Sequence, residues 1–334
     1  MIKIGMIGAG GWGKNLLRSF YYLPGVEVAM LADLVPERRE EARHRYPGIE
    51  TTDDYRSFLD SDDIQAVVVA TPGASHYAIA RECLAAGKDV FVEKPMTIHA
   101  GEAEELARLA DDKKLILMAG HLMLYNPSVR KLKAELEAGA LGDLYYLYFQ
   151  RLNLGKIRKS ENAMWTFAPH DISIARYLVG SPALAVAAWG ESYVQPGVAD
   201  VAFVRIRFPG NVIAHIHVSW LDPHKVRRVT LVGSRKMMVF DDMDAAEPIR
   251  VYDKGVPADL SYDTFGEYLN LRSGDIHIPW VKSAEPLRLE CAHFIDCVRD
   301  RSRPLSDGWN GAEVVKILEA AQMSMESGGD MIEL

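Results

Sequence analysis

Residues 2–13 restrict this chain more than any other stretch. Ile2 to Ile7 reads as a strand and runs directly into Gly8-Ala9-Gly10-Gly11-Trp12-Gly13. Trp12, Leu16 and Phe20 then recur four apart, the spacing of one helix face. G-x-G-x-x-G between a strand and a helix is a turn suited to a dinucleotide. Gly8 permits the tight turn, Gly10 lets the backbone approach a pyrophosphate, and Gly13 lets the helix pack closely on the strand. The helix start adds free N–H groups and the positive end of a dipole. A second strand, Val26 to Ala32, ends at Asp33, 20 residues past Gly13. A carboxylate there accepts hydrogen bonds from ribose hydroxyls and repels a 2′-phosphate. NAD is therefore the expected cofactor, and Arg38 lies near enough to keep NADP open. Asp33 reads alternatively as a cap on a helix starting at Pro36.

Three further strand ends follow in the same half. Ala66-Val67-Val68-Val69-Ala70 ends in Thr71-Pro72-Gly73, and His76 opens the next helix. Asp89-Val90-Phe91-Val92 ends in Glu93-Lys94-Pro95, and Leu115-Ile116-Leu117-Met118 ends in Ala119-Gly120-His121. Alternating strands and amphipathic helices predict a doubly wound parallel sheet over residues 1–120. In such sheets ligands bind at the carboxyl edge. That places Thr71, Pro72, His76, Glu93, Lys94 and His121 beside the dinucleotide. Pro95 restricts Lys94 to extended conformations, so the lysine is aimed. The plainer reading of Glu93 and Lys94 is a strand-end ion pair, and of His76 a solvent-exposed helix start.

From residue 121 the character changes. Asn126-Pro127 starts a helix that stops at Gly139. Val201 to Phe208 and Val212 to Trp220 then alternate with period two, and Val226–Gly233 with Lys236–Asp241 reads as a hairpin. Residues 121–334 are expected to form an α/β domain with a large open, mostly antiparallel sheet. Its second face would pack on another subunit, in a homodimer or homotetramer. The last two helices, lined by Leu287, Cys291, Phe294 and Val298 and by Val314, Leu318, Ala321 and Met325, are able to pack back on the first domain. His215-x-His217 has no evident third ligand, so no metal is expected. Trp165-Thr166-Phe167-Ala168-Pro169-His170-Asp171 is read as leading into a helix from Ile172. His170 would then sit at a helix start, where the dipole keeps its imidazole neutral and able to accept a proton. It reads also as a histidine packed at a domain seam. Asp171 reads as a first-turn acid.

Composition removes several functions. With 38 basic against 46 acidic residues and a net charge of −8, nucleic acid is a poor partner. No apolar run reaches the length of a membrane span, and no leader precedes the first strand, so a cytoplasmic location is expected. Cys83, Cys291 and Cys297 are read as buried thiols.

Taken together, the Gly8–Gly13 loop, Thr71-Pro72 with His76, Glu93-Lys94-Pro95, Asn126-Pro127, the His170 segment and Asp307-Gly308 resemble the Gfo/Idh/MocA sugar-dehydrogenase family. The resemblance implies a Rossmann domain followed by an α/β domain. It also implies NAD(P)-dependent hydride transfer at a secondary alcohol of a sugar or cyclitol, with Lys94 and His170 on the catalytic positions. Implied cofactor contacts are Gly8, Ala9, Gly10, Gly11, Trp12, Gly13, Asp33, Arg38, Thr71, Pro72, His76, Glu93, Lys94 and His121. Implied substrate contacts are Lys94, Tyr125, Asn153, Lys156, Arg158, Trp165, His170 and Asp171. One position departs: the family commonly has Asp four residues before the histidine, where this chain has Thr166. That leaves a weakly active regulator binding NAD or sugar as an alternative. Gln150 to Arg158, followed by Pro169-His170-Asp171, resembles a branch that oxidises nucleotide sugars at C3, such as UDP-N-acetylglucosamine 3-dehydrogenase. Arg151, Lys156 and Arg158 would hold a diphosphate, or form a solvated basic loop.

Overall fold

The computed structural model describes residues 1–155, 157–158, 161–255 and 273–334. Two compact units form, one from Met1–Tyr125 with Ala284–Glu319, the other from Asn126–Ser283 with Ala320–Leu334.

In the first unit, strands β1 (Ile2–Ile7), β2 (Val26–Ala32), β3 (Glu50–Thr52), β4 (Ala66–Val69), β5 (Asp89–Glu93) and β6 (Leu117–Gly120) form a parallel sheet in the order β3-β2-β1-β4-β5-β6. The order reverses at β1, so the crevice at the carboxyl ends opens beside the glycine loop. β4 and β5 are buried along their whole length, as expected of strands covered on both faces. Helices α1 (Gly13–Tyr21), α2 (Pro36–Arg45), α3 (His76–Ala85) and α4 (Ala100–Lys113) make the crossovers. β6 begins two residues later than the apolar run from Leu115 predicts.

The second unit opens with α5 (Pro127–Glu137), β7 (Leu144–Leu152) and α6 (Ala163–Val179). Strands β8 (Ala185–Glu191), β9 (Val201–Arg207), β10 (Ile213–Ser219), β11 (Val226–Gly233), β12 (Met237–Asp241), β13 (Ile249–Tyr252) and β14 (Ile276–His277) follow. Helix α7 (Pro286–Asp300) lies in the first unit, α8 (Gly308–Glu326) begins there, and β15 (Ile332–Glu333) closes the second. Among the described residues the second sheet runs β14-β13-β12-β11-β7-β10-β9-β8-β15, antiparallel except where β7 meets β10. α6 packs on β7, β9 and β10. Leu147 and Phe149, Val204 and Ile206, and Ala214, Ile216 and Val218 are buried. The alternate residues Tyr146, Phe203 and Trp189 are 47%, 38% and 48% exposed.

α7 belongs to the nucleotide half because of what it fills. Phe294 packs edge-on against Phe20 of α1 and Phe91 of β5, with ring centroids 6.3 and 5.7 Å away. Residues 121–125, grouped with the second domain in the sequence reading, likewise pack in the first unit. Cys83, Cys291 and Cys297 are buried thiols, and burial pushes Cys83 up to about 12. No helix among the described residues is long and apolar enough to cross a membrane.

Candidate functional site

The glycine loop has the shape its spacing predicts. Gly8 adopts φ +95°, and a side chain there would reach within 2.7 Å of the Ala70 carbonyl oxygen. A Cβ on Gly13 would collide with the Gly8 carbonyl. A Cβ added at Gly10 would meet only Arg38 Nη1, at 3.8 Å, and one added at Gly11 would meet nothing within 4 Å. The loop therefore has open space where a phosphate would approach its backbone. Asp33 is tied to it: one carboxylate oxygen accepts from the Ala9 N–H at 2.7 Å, the other from the Val35 N–H at 2.9 Å. Val35, the residue before α2, offers no side-chain cap of its own, and Asp33 instead holds its N–H. Arg38 Nη1 lies 3.5 Å from both Asp33 oxygens, which sets a cation beside that carboxylate. These residues fit a dinucleotide.

His76 is not a solvent-exposed helix start. It is 1% exposed, and its two ring nitrogens lie 2.8 Å from the carbonyl oxygens of Thr71 and Pro95. It thereby ties the end of β4 to the turn after β5. Thr71 Oγ1 accepts from Ser75 Oγ at 2.8 Å, and Pro72 precedes the short 3-10 turn Gly73–Ser75.

At the end of β5, Glu93 is buried and works locally. Its Oε1 accepts from Trp12 Nε1–H at 2.6 Å and its Oε2 from the Lys94 backbone N–H at 3.1 Å. The carboxyl thus joins the glycine loop to the Lys94-Pro95 turn, whose peptide bond is cis. Burial pushes Glu93 up to about 7, against the opposing pull of Lys94 and its two hydrogen bonds. His121, past β6, is buried with Nδ1 2.8 Å from Asn310 Oδ1. Burial drives it down to about 4, with Lys94 acting in the same direction and Asn310 against it, so it is neutral at pH 7. Tyr125 is fully buried, with its hydroxyl 3.1 Å from Ser306 Oγ.

In the second unit the helix carrying His170 starts earlier than its sequence suggests. α6 begins at Ala163, capped by Asn162, whose Oδ1 accepts from Trp165 N–H at 3.0 Å. Pro169 lies inside the helix, and His170 and Asp171 lie near its middle rather than at a dipole end. Thr166 turns its hydroxyl to the Asn162 carbonyl at 3.0 Å. Asp171 is not a first-turn acid. It is 2% exposed and takes three hydrogen bonds from Arg151, Nη2 to Oδ1 at 2.7 Å, Nε to Oδ2 at 3.0 Å and Nε to Oδ1 at 3.2 Å. Burial opposes the Arg151 charge, but Asp171 outweighs it and holds the guanidinium above its usual range.

Arg151 is thus committed within the protein. Exposed Arg158 pairs with Glu161 at 2.8 Å. Asn153 donates its backbone N–H to Ser219, and Trp165 is half-buried on α6. Lys156 lies outside the described residues. His215 stacks between Tyr148 and Phe203, and His217 stacks on Phe203. Among the described residues no group of three His, Cys, Asp or Glu gathers to hold a metal.

Two polar residues escaped the sequence reading. Asn310, which meets His121, had no local signal. Glu290 had one: it stands four residues before Phe294 and three after Leu287, inside an apolar stripe of α7.

Residues 2–121 match the oxidoreductase family with NAD-binding Rossmann fold, and residues 129–239 match the GFO/IDH/MocA C-terminal domain. An NAD-dependent scyllo-inositol 2-dehydrogenase of Bacillus subtilis is 24% identical over 98% of this chain and 95% of its own length. UDP-N-acetylglucosamine 3-dehydrogenase from Acidithiobacillus ferrooxidans superposes with a TM-score of 0.83 at 20% identity, covering 98% of each chain. A levoglucosan dehydrogenase in complex with NADH and L-sorbose does so with 0.83 at 21%, covering 99% of this chain and 98% of its own.

Proposed function

Because the chain belongs to the Gfo/Idh/MocA family of NAD-dependent sugar and polyol dehydrogenases, we propose that it oxidises a secondary alcohol of a sugar, in particular a nucleotide sugar at C3. The observation that carries this reading is the Trp12–Glu93–Lys94 linkage, which holds the turn bearing Lys94 against the nucleotide loop. NAD, when bound, supplies the hydride acceptor. Lys94 places a positive charge where the alcohol oxygen gains negative charge. His170 takes the hydroxyl proton. Its position inside α6, rather than at a helix end, means that the helix dipole does not tune it. Thr166 cannot offset a positive imidazole as Asp would, so Thr166→Asp is expected to raise turnover.

A second reading, oxidation of free sugars or inositols, is favoured by Arg151. Its guanidinium is buried against Asp171 and so is not offered to a diphosphate. The test is absorbance at the reduced-nicotinamide band, with NAD or NADP and a panel of UDP-sugars, free sugars and inositols. A signal with UDP-sugars alone supports the first reading; a signal with free sugars or inositols replaces it with the second. No signal with any of them, with NAD bound, removes both.

The half-exposed face of the second sheet, with Tyr146, Tyr148, Phe203, Trp189 and the stacked histidines, supports a homo-oligomer formed through that face. Phe203→Asp is expected to yield monomers by light scattering, and an unchanged mass would remove this assignment.

A further inference from the structure

Two contacts tie α7 to β5 in antiparallel order. Arg301, just past the end of α7, holds Asp89 at the start of β5, with Nη1 to Oδ2 at 2.6 Å. Phe294 meets Phe91 at 5.7 Å. Two residues further along β5, roughly 6.6 Å on and on the same face, stands Glu93. Four residues back along α7, roughly 6 Å and one turn away on the same face, stands Glu290. The ladder therefore brings a second carboxyl to the level of Glu93. Glu290 is fully buried, and neither of its oxygens has a hydrogen-bond partner among the described residues. Gly120 lies against the Glu93 carboxyl, where a side chain would come within 3.2 Å of it. That absence of a side chain makes room for the Glu93 carboxyl.

Asp33 marks the adenosine half of the dinucleotide site at the end of β2. A doubly wound sheet binds the second mononucleotide over its other half, here β4, β5 and β6. We propose that Glu93 and Glu290 act as one buried acid pair carrying a single negative charge behind the nicotinamide half, and that this charge makes the site favour the cationic, oxidised nicotinamide over the neutral, reduced one. The proposal rests on dinucleotide binding by the first unit and not on the identity of the sugar.

Two adjacent buried carboxyls do not both ionise. Burial, then the Glu93 charge, holds Glu290 well above the carboxylate range, while Glu93 titrates at about 7. The other groups facing the pair are Lys94, of opposite sign, and Cys291, whose thiol is raised by burial and then by Glu290 and Glu93. His121 beside Lys94 is neutral over this range. As pH rises through about 7 the pair gains its charge, and affinity for the oxidised ring rises relative to the reduced one.

Calorimetric titration of the full chain with NAD and with NADH tests this. The ratio of dissociation constants, NADH over NAD, is expected to rise on the order of tenfold from about pH 5.5 to about pH 8.5. In Glu93→Gln the rise is expected to vanish, because burial, the larger cause, still holds Glu290 protonated. In Glu290→Gln it is expected to persist, since Glu93 keeps the charge. A pH-independent ratio in the unaltered chain, or a Glu93→Gln variant that keeps the rise, overturns the proposal. Should a variant fold poorly, infrared spectroscopy of the unaltered, cofactor-free chain still decides. A protonated buried carboxyl band at about pH 8 is expected, and its absence overturns the pair. Failure of the unaltered chain to bind either nucleotide would instead remove the cofactor reading beneath it.

Discussion

The two sheets place their polar groups under opposite rules. In the parallel sheet of the first unit, helices cover both faces, so the interior of β4 is wholly apolar and the informative polar groups collect at strand ends: Asp33, Thr71, Glu93, Lys94 and His121. In the second sheet α6 covers one face, and among the described residues the other is partly exposed. There a buried ion pair, Arg151 with Asp171, sits inside the covered face, and aromatic and histidine rings occupy the other. A polar residue at a parallel strand end is positioned for a ligand. A polar residue under a helix is positioned for another part of the same chain and must find its partner there.

The comparison breaks if substitutions in the two places act alike. Asp171→Asn leaves the buried Arg151 guanidinium short of its counter-charge and is expected to cost about 3–5 kcal/mol in urea unfolding. A cost under about 1 kcal/mol would move Asp171 out of the structural class. Lys94→Ala is expected to do the reverse, with turnover falling by about 10²–10³-fold, unfolding unchanged and NAD affinity largely kept. Unchanged turnover would remove Lys94 from the chemistry. Gly13→Ala forces a methyl group onto the Gly8 carbonyl and is expected to cost about 1–3 kcal/mol and to weaken NAD binding, read by calorimetry.

The smallest effect concerns pH. His121 has a folded pKa of about 4, depressed below its unfolded value. Its contribution to stability is therefore complete above about pH 6.5 and is lost as pH falls toward about 4. Between about pH 7 and about pH 5 the loss amounts to roughly 2 kcal/mol, and His121→Gln should lack that acid limb. An identical acid limb in the variant would show that other groups set it.

Much of the first unit was legible because its signals are local. A strand, three glycines and a helix fit within twenty residues, and Asp33 follows at a fixed distance. Glu93 and Lys94 were legible as a strand end for the same reason. The start of α6 was misread because Pro169 resembles a first-turn proline, while the actual signal, Asn162 before Ala163, lies among residues with no strong period. Pairings between distant segments left no trace. Arg151 meets Asp171 across a strand and a helix, and Glu290 reaches the level of Glu93 from nearly two hundred residues away. His76 was undecided for a related reason: its two carbonyl partners include Pro95, which only the folded sheet brings near.

The division of the first unit into Met1–Tyr125 and Ala284–Glu319 has a consequence for how the protein is made. A ribosome delivers Phe20 and Phe91 early, and Phe294, the ring that packs against both, only after residues 126–283 of the second unit have emerged. The nucleotide-binding half therefore waits through most of translation with an apolar gap in its side, while the half that begins later can finish most of its sheet first. A nascent chain halted before residue 284 would present that gap to chaperones and to its neighbours on the same message.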